Sequence, residues 1–524
     1  MARTVEVESK YSDAVINISL DTLAKQKQAL VFCNTRRGAE SQAERIAQKV
    51  KMQSAELLNV AERGLKTLPS PTKQCKRLAL CLKKGIAFHH AGLHGKQREL
   101  IETKFREGTI KVICSTPTLA MGLDLPAFRV IIRDLKRFSG GRGMTDIPVL
   151  EYHQMAGRAG RPGMEEFGEA IILAETKDQK EARTEQYVRG EPEEIFSKLA
   201  VEPVLRTYVL SLIASDFVAT YDGLYKFFGK TFYAKQYGDI RKLHAILDAM
   251  VAKLEEWEFL AGSETHGDFV AANAIRNGKL AATLLGRRVA ELYLDPYTAH
   301  FLITCLQRAT EKSMQDFAIV HMLSSCLEMR PLLRPRVKEL DELLERTNKY
   351  LSGLLAPEPV QYSEEYEEFL KTLKTAIFFQ DWISEVQEDV LLEKLGIAPG
   401  EVRSKLERAD WLMYATEELA RILNYQMFRS PLAKMRMRLK HGAKEELLPL
   451  LRLKGIGRVR ARKLFNARIK SLEDVKKADL STLAALVGKS PALSIKKQVG
   501  QDLRREKVQV KTGKRKGQKS MQDY

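Results

Sequence analysis

The chain has 524 residues and a net charge of +19 at pH 7, with 44% hydrophobic and 29% charged residues. This length exceeds one hydrophobic core and implies three to five domains, the composition excludes a disordered chain, and the cationic excess points to a polyanionic partner. The six cysteines are scattered, with no CxxC pair and no histidine at zinc-ligand spacing, and no apolar run reaches the roughly 18 residues of a membrane span.

We therefore expect reduced, mostly buried thiols, no metal site, no membrane association and, with no signal peptide at the start, a cytoplasmic protein. Residues 1–28 are polar and mixed. Residues 29–33 (Ala-Leu-Val-Phe-Cys) form a short continuous apolar run, the pattern of a strand buried on both faces. A loop at 34–38 and a helix at 39–49 follow. The same form recurs at 86–90 with a helix at 95–107, and further strands are expected at 111–115, 130–132 and 170–173. This alternation predicts a parallel α/β domain over about residues 25–180, which with its lead-in makes a domain of 1–180. Ligands of such folds gather at the carboxyl ends of the strands, where the polar loops 34–37, 89–93 and 116–124 lie.

Residues 130–149 read as a β-hairpin, because the Gly140-Gly141-Arg142-Gly143 tip permits the positive-φ turn a hairpin needs. Next, residues 152–163 set Arg158 and Arg161 three apart, with Gly157 and Gly160 preceding them and Gln154 upstream. If 155–159 is helical, the two guanidiniums stand about one turn apart and point the same way. Two such forks suit a phosphate chain, and the glycines would let a ligand come close. Taken alone, the stretch also reads as a Gly/Arg turn on a basic surface.

Thr116-Pro117-Thr118-Leu119-Ala120-Met121-Gly122-Leu123-Asp124-Leu125-Pro126-Ala127 resembles motif V of superfamily-two helicases, and Gln154-Met155-Ala156-Gly157-Arg158-Ala159-Gly160-Arg161 resembles their motif VI. Residues 30–36 are similar to motif IV, and His89-His90-Ala91-Gly92-Leu93 to the neighbouring motif of the Ski-two-like group. Four ordered motifs in one α/β domain are a specific signal. The chain resembles the C-terminal part of an archaeal Ski-two-like DNA repair helicase of the fork-remodelling type. That resemblance implies a second RecA-like domain closing over ATP and Mg2+, both held mainly by a first one. Arg158 and Arg161 would be arginine fingers, with Gln154 as a third catalytic residue. Gly122, Asp124 and Gly157 would line the nucleotide cleft. Thr116, Thr118 and Arg36 would touch the nucleic-acid backbone, and the hairpin would split the duplex.

The sequence departs from a complete motor. It contains no GxxxxGK[ST] phosphate loop and no DExH box. Residues 223–231 have one residue too many before Gly229-Lys230-Thr231 and follow no buried strand, and Asp341-Glu342-Leu343-Leu344 sits in a charged helical stretch. The chain is expected to begin where the family's second motor domain begins, to need the first as a partner, and to hydrolyse no ATP alone.

A charged stretch at 178–198 reads as a linker. Residues 199–294 are helical with a possible strand pair near 269–271 and 280–282, which fits the winged helix the family carries there; Tyr221, Tyr225, Phe227, Phe228, Phe232 and Tyr233 are expected in its core. Residues 295–430 resemble the helical ratchet domain, with a long helix at 401–423 along the tracked strand. Trp411 fits either a base platform or a packed indole. The family usually places Arg seven residues before this Trp, where this chain has Ser404, so Arg403 becomes the second candidate contact. Residues 440–503 read as a helix-hairpin-helix domain in which Gly455-Ile456-Gly457 aims backbone amides at a DNA phosphate and Arg458, Arg460 and Arg462 add charge. Residues 504–524 form a basic tail expected to be disordered and to bind phosphate non-specifically. The implied function is part of an ATP-dependent 3′–5′ helicase acting on single-stranded and forked DNA in fork repair and recombination, nucleoid-associated. A non-catalytic nucleic-acid clamp and an RNA helicase fragment of the same group are the alternatives.

Overall fold

The computed structural model describes residues 6–67, 71–122, 125–139, 143–160, 163, 165–199, 201–261, 279–361 and 363–501. The chain divides into two compact units, residues 1–195 with 397–404, and residues 196–396 with 405–524. Arg161, Asp124, the hairpin tip at 140–142, the strand expected at 269–271 and the tail at 504–524 lie outside the described residues.

The first unit is built on seven short strands: β1 (Ala29–Phe32), β2 (Ile86–His89), β3 (Val112–Ser115), β4 (Arg129–Ile132), β5 (Lys136–Ser139), β6 (Gly143–Asp146) and β7 (Glu169–Ile172). Five of them form one parallel sheet in the order β2-β3-β1-β4-β7. The apolar runs of β1 to β4 are fully buried, as helices packed on the sheet require of both its faces. Register levels the strand ends: Phe32 pairs with Ser115 and Ile132, and His89 with Ser115. The loops carrying the motifs therefore leave the sheet in one row. β5 and β6 pair antiparallel between β4 and the helix Val149–Ala156.

One charge lies deep in this core. Arg129 on β4 is 1% exposed. It is satisfied by Glu169 (Nε at 2.7 Å), Asp21 and Thr22 (Nη1 at 2.8 Å each). Two carboxylates and a hydroxyl offset the desolvation a buried guanidinium would otherwise suffer.

The second unit is helical over most of its described length. Residues 223–229 lie on the helix Tyr221–Gly229, N-capped by Thr220, so the near-miss of a phosphate loop is helical. Asp341 and Glu342 likewise open the helix Leu340–Leu351. Around 199–294 the strand content among the described residues is two isolated antiparallel bridges, Thr220 with Lys279 and Leu260 with Ala282. Phe228 and Tyr233 are buried there, but Phe232 is 53% exposed, which corrects its assignment to the core. The long helix runs Pro399–Ile422, two residues earlier than expected at its start because Pro399 suits a first-turn position. Helices Leu448–Leu451, Arg458–Asn466, Leu472–Lys477, Leu480–Val487 and Lys489–Gln498 close over their own core of Leu447, Ile456, Leu464, Val475, Leu483 and Ile495. All six cysteines are buried and unbridged. Among the described residues no helix is long and apolar enough to cross a membrane.

Candidate functional site

The motif VI helix stops short of Arg158. It ends at Ala156, and Gly157 closes it in ordinary helical geometry (φ −63°). Residues 158–160 then run beside Ala127: Ala127 N donates to Arg158 O at 2.9 Å and Gly160 N to Ala127 O at 2.7 Å. This corrects the expectation that 155–159 is one helix; Arg161 lies outside the described residues. Arg158 N and Ala159 N still donate within the turn, to Met155 O (3.1 Å) and Ala156 O (3.0 Å), and at Gly160 the amide leaves the helical pattern for Ala127. Gly160 is needed at this exit, where φ is +92°. Its partner Gly168 leaves no room either, since a Cβ there would lie 2.1 Å from Gly160 N.

This pairing brings the motif V and motif VI residues together. The Arg158 guanidinium donates to Ala120 O from Nη2 at 2.6 Å and Nε at 3.2 Å, and is half-buried there. Gln154 is exposed on the last turn of its helix, and Gly122 is exposed with φ +80°. Thr116 and Thr118 share a hydrogen bond of 2.9 Å between their hydroxyls at the end of β3. The arrangement offers one oriented guanidinium and one exposed amide side chain to a ligand over the strand ends. Among the described residues no group of three His, Cys, Asp or Glu side chains could hold a metal ion.

A second set of contacts gathers on residues 397–404, which belong to the first unit. Gly400 N donates to Gly92 O at 3.1 Å, and a Cβ on Gly400 would meet Ala91 O at 2.2 Å. Arg36, a candidate nucleic-acid contact, is ion-paired to Glu401 at 2.7 Å. Arg403 is exposed, with Nη1 3.3 Å from His94 Nε2. Below them, the buried His90 accepts from Gly92 N through Nδ1 (3.1 Å) and meets Glu40 through Nε2 (3.1 Å), so its neutral form donates to the carboxylate. Burial first, then His90, Gln74 and Arg77, act on Glu40, and the hydrogen bonds and charges win: its carboxyl lies below the usual range.

In the second unit, Trp411 is half-buried and its indole N–H donates to Leu292 O at 3.0 Å. Gly455 has φ +86°, and Gly457 precedes the helix Arg458–Asn466 with no side chain capping its first amides. Arg458 is half-buried, with its guanidinium 4.6 Å from the centre of the Trp382 ring in a cation–π contact. Arg462 is likewise held by Glu385 (2.6 Å) and Glu446 (2.7 Å). Arg460 remains exposed.

The helicase conserved C-terminal domain family matches residues 11–163, the archaeal helicase domain 4 family residues 317–442, and the SAM-like helix-hairpin-helix tandem family residues 447–499. A protein of Methanococcus vannielii named ATP-dependent DNA helicase Hel308 is 38% identical over 520 residues, covering 92% of this chain and 67% of its own. The chain belongs to the Hel308 family. Relatives of the same name from Methanocella arvoryzae (93% of this chain, 65% of theirs) and Pyrococcus horikoshii (89% and 63%) are also 38% identical. The chain thus spans about two thirds of the length of the Hel308 relatives it matches. Its fold, a RecA-like parallel α/β domain followed by α domains, is the one these family matches describe.

Several residues that meet the candidate site in this Hel308 chain were not singled out from sequence. Ala120 contributes a carbonyl, which no side-chain pattern reports. Glu193 and Tyr187, in a stretch that reads as a charged linker, contact Val149 at the start of the motif VI helix and Ile147 before it. Gly400 stands just before the helix expected at 401–423 and carries no side chain to report its contact.

Proposed function

We propose that this chain is the C-terminal portion of an ATP-dependent 3′–5′ DNA helicase acting on single-stranded and forked DNA in fork repair and recombination. The observation that carries the reading is the junction of Arg158 with Ala120, which ties the segment that would sense nucleotide to the loop that would touch DNA. In this reading Arg158 and Arg161 steady charge on the γ-phosphate, and Gln154, the third catalytic residue, couples the nucleotide cleft to nucleic acid. Gly122, Asp124 and Gly157 line the cleft, with Mg2+ held by the first motor domain. The pair β5–β6 would part the duplex. Thr116, Thr118, Arg36, Arg403, Trp411, the Gly455-Ile456-Gly457 turn and Arg458 would follow the DNA backbone and bases. We take the domains as 1–180, 199–294, 295–430, 440–503 and a tail at 504–524, the second a winged helix and the third the ratchet.

The test is to assay ATP hydrolysis by the 524-residue chain with and without a phosphate-loop and DExH-bearing domain from a relative. The chain alone should turn over no ATP, and the pair should show DNA-stimulated turnover. Full turnover by the chain alone would sink the split-motor reading. The clamp alternative draws on the lack of GxxxxGK[ST] in the 524 residues; DNA binding without any restored turnover would favour it. Equal or tighter binding of single-stranded RNA would favour the RNA helicase alternative.

A further inference from the structure

The helix Val149–Ala156 carries Gln154 and leads directly into Arg158, yet nothing in its own sequence caps it. Pro148 stands at its N-cap with no side chain to offer the first-turn amides. Helices leave these amides without internal partners and usually satisfy them from the residue just before. Here the acceptor comes from 44 residues further along: Glu193 Oε1 accepts from Val149 N at 2.6 Å and Oε2 from Leu150 N at 3.1 Å. One carboxylate thus takes two of the free amides, at the positive end of the helix dipole where a negative charge is most favourable.

The segment that delivers Glu193 is anchored beneath the same helix. The helix Lys177–Arg183 passes into a π-helical turn, Thr184–Val188. A wide turn of this kind inserts a residue and often marks a functional position. Its Tyr187 is 1% exposed. The phenol donates to Ile147 O at 3.1 Å, and the ring lies 5.4 Å from that of Tyr152 on the helix. The hairpin holds the helix from another side, through Arg137 Nη1 to Glu151 Oε2 at 2.6 Å. Hydrogen bonds from Val149 and burial act on the Glu193 carboxyl, and the hydrogen bonds win, holding it below the usual carboxylate range.

We propose that Glu193, delivered by the Tyr187 turn, is a positioning residue for the nucleotide site, a cap in trans that sets where Gln154 and Arg158 stand. Loss of the cap would let the first turn fray and the helix shift along its axis, which moves Gln154 directly and Arg158 through Gly157. The catalytic consequence rests on the motor reading above; the structural consequence does not.

Two measurements separate them. Amide hydrogen exchange of the 524-residue chain should rise roughly two- to thirty-fold at residues 151–156 in Glu193→Ala, the range of a lost helix cap. The rise should be smaller in Glu193→Gln, which keeps an accepting oxygen, and absent in Glu194→Ala, whose exposed side chain serves as the control. In the enzyme completed with a phosphate-loop domain, Glu193→Ala should lower kcat about ten-fold or more with KM for ATP little changed, and Glu193→Gln should recover part of it. Unchanged exchange at 151–156, or an equal rise throughout the chain, would overturn the cap. A local rise with unaltered kcat would overturn the positioning role. Should the completed wild-type enzyme turn over no ATP, the motor reading fails, and the exchange result still decides the cap.

Discussion

Arg158 lies on the carbonyl oxygen of Ala120, with Nη2 at 2.6 Å and Nε at 3.2 Å. The contact fixes the plane of the guanidinium before any ligand arrives, which is how a planar fork loses least freedom on binding. Arg158→Lys keeps the charge but cannot reproduce a two-nitrogen approach. In the completed enzyme, Arg158→Ala should cut kcat by roughly 10³ or more, the scale of an arginine finger. Arg158→Lys should fall between that variant and wild type. Single-turnover hydrolysis checks it, and a lysine variant with full kcat would remove the orienting role of Ala120 O.

Gly168 and Gly160 approach each other so closely that a Cβ on Gly168 would sit 2.1 Å from Gly160 N and 2.3 Å from Ala159 C. Both atoms are backbone and cannot swing away. Gly168→Ala should therefore destabilise the first unit by about 1–3 kcal/mol, as overpacked positions do. Urea unfolding reads this, and an unchanged midpoint would mean that the strand β7 yields without cost.

Trp411 combines a half-buried ring with an N–H held by Leu292 O. Trp411→Phe removes the hydrogen bond and keeps a stacking face; Trp411→Ala removes both. If a base stacks on the indole, Trp411→Ala should weaken single-stranded DNA binding by about 1–3 kcal/mol while Trp411→Phe loses much less. If the ring only packs, both variants lower Tm and leave the affinity of folded protein unchanged. Affinity and Tm measured on one preparation decide between them. Removing residues 504–524 should instead flatten the salt dependence, because its lysines and arginines act through counterion release.

His321 is fully buried, and burial pushes its imidazole down to about 4 from the usual 6.5. Thr372 already donates to Phe369 O at 2.7 Å, so His321 Nε2–H must be the donor in its 3.1 Å contact with Thr372. The folded-state value is depressed for a base, so the unfolded chain binds the proton first as pH falls. Stability from this residue is complete above about pH 6.5 and declines by roughly 1.4 kcal/mol per pH unit below it, levelling near pH 4. His321→Leu should flatten that slope. Denaturation midpoints of both proteins at pH 7, 6 and 5 test it, and parallel slopes would refute the assignment.

The buried strands were readable from sequence because runs such as Ala29-Leu30-Val31-Phe32 report a local need, two apolar faces on one short segment. The motif residues at 116–124 and 154–161 were readable for the same reason, as residue types at fixed spacing. The family, too, lay in that linear pattern, and the three family matches cover it. Tertiary structure alone decided where the motif VI helix stops, since the competing partner of residues 158–160 is Ala127, some thirty residues earlier in the chain. It also decided which arginines meet partners within the fold. Arg458 and Arg462 look alike in the sequence as free cations, and only the placement of Trp382, Glu385 and Glu446 turns them into packing and ion pairs. The cap on Val149 by Glu193 and the seat of Gly400 on Gly92 belong to the same class. A hydrogen bond between residues tens or hundreds of positions apart leaves no periodicity behind, because chain closure, not local propensity, brings its two ends together.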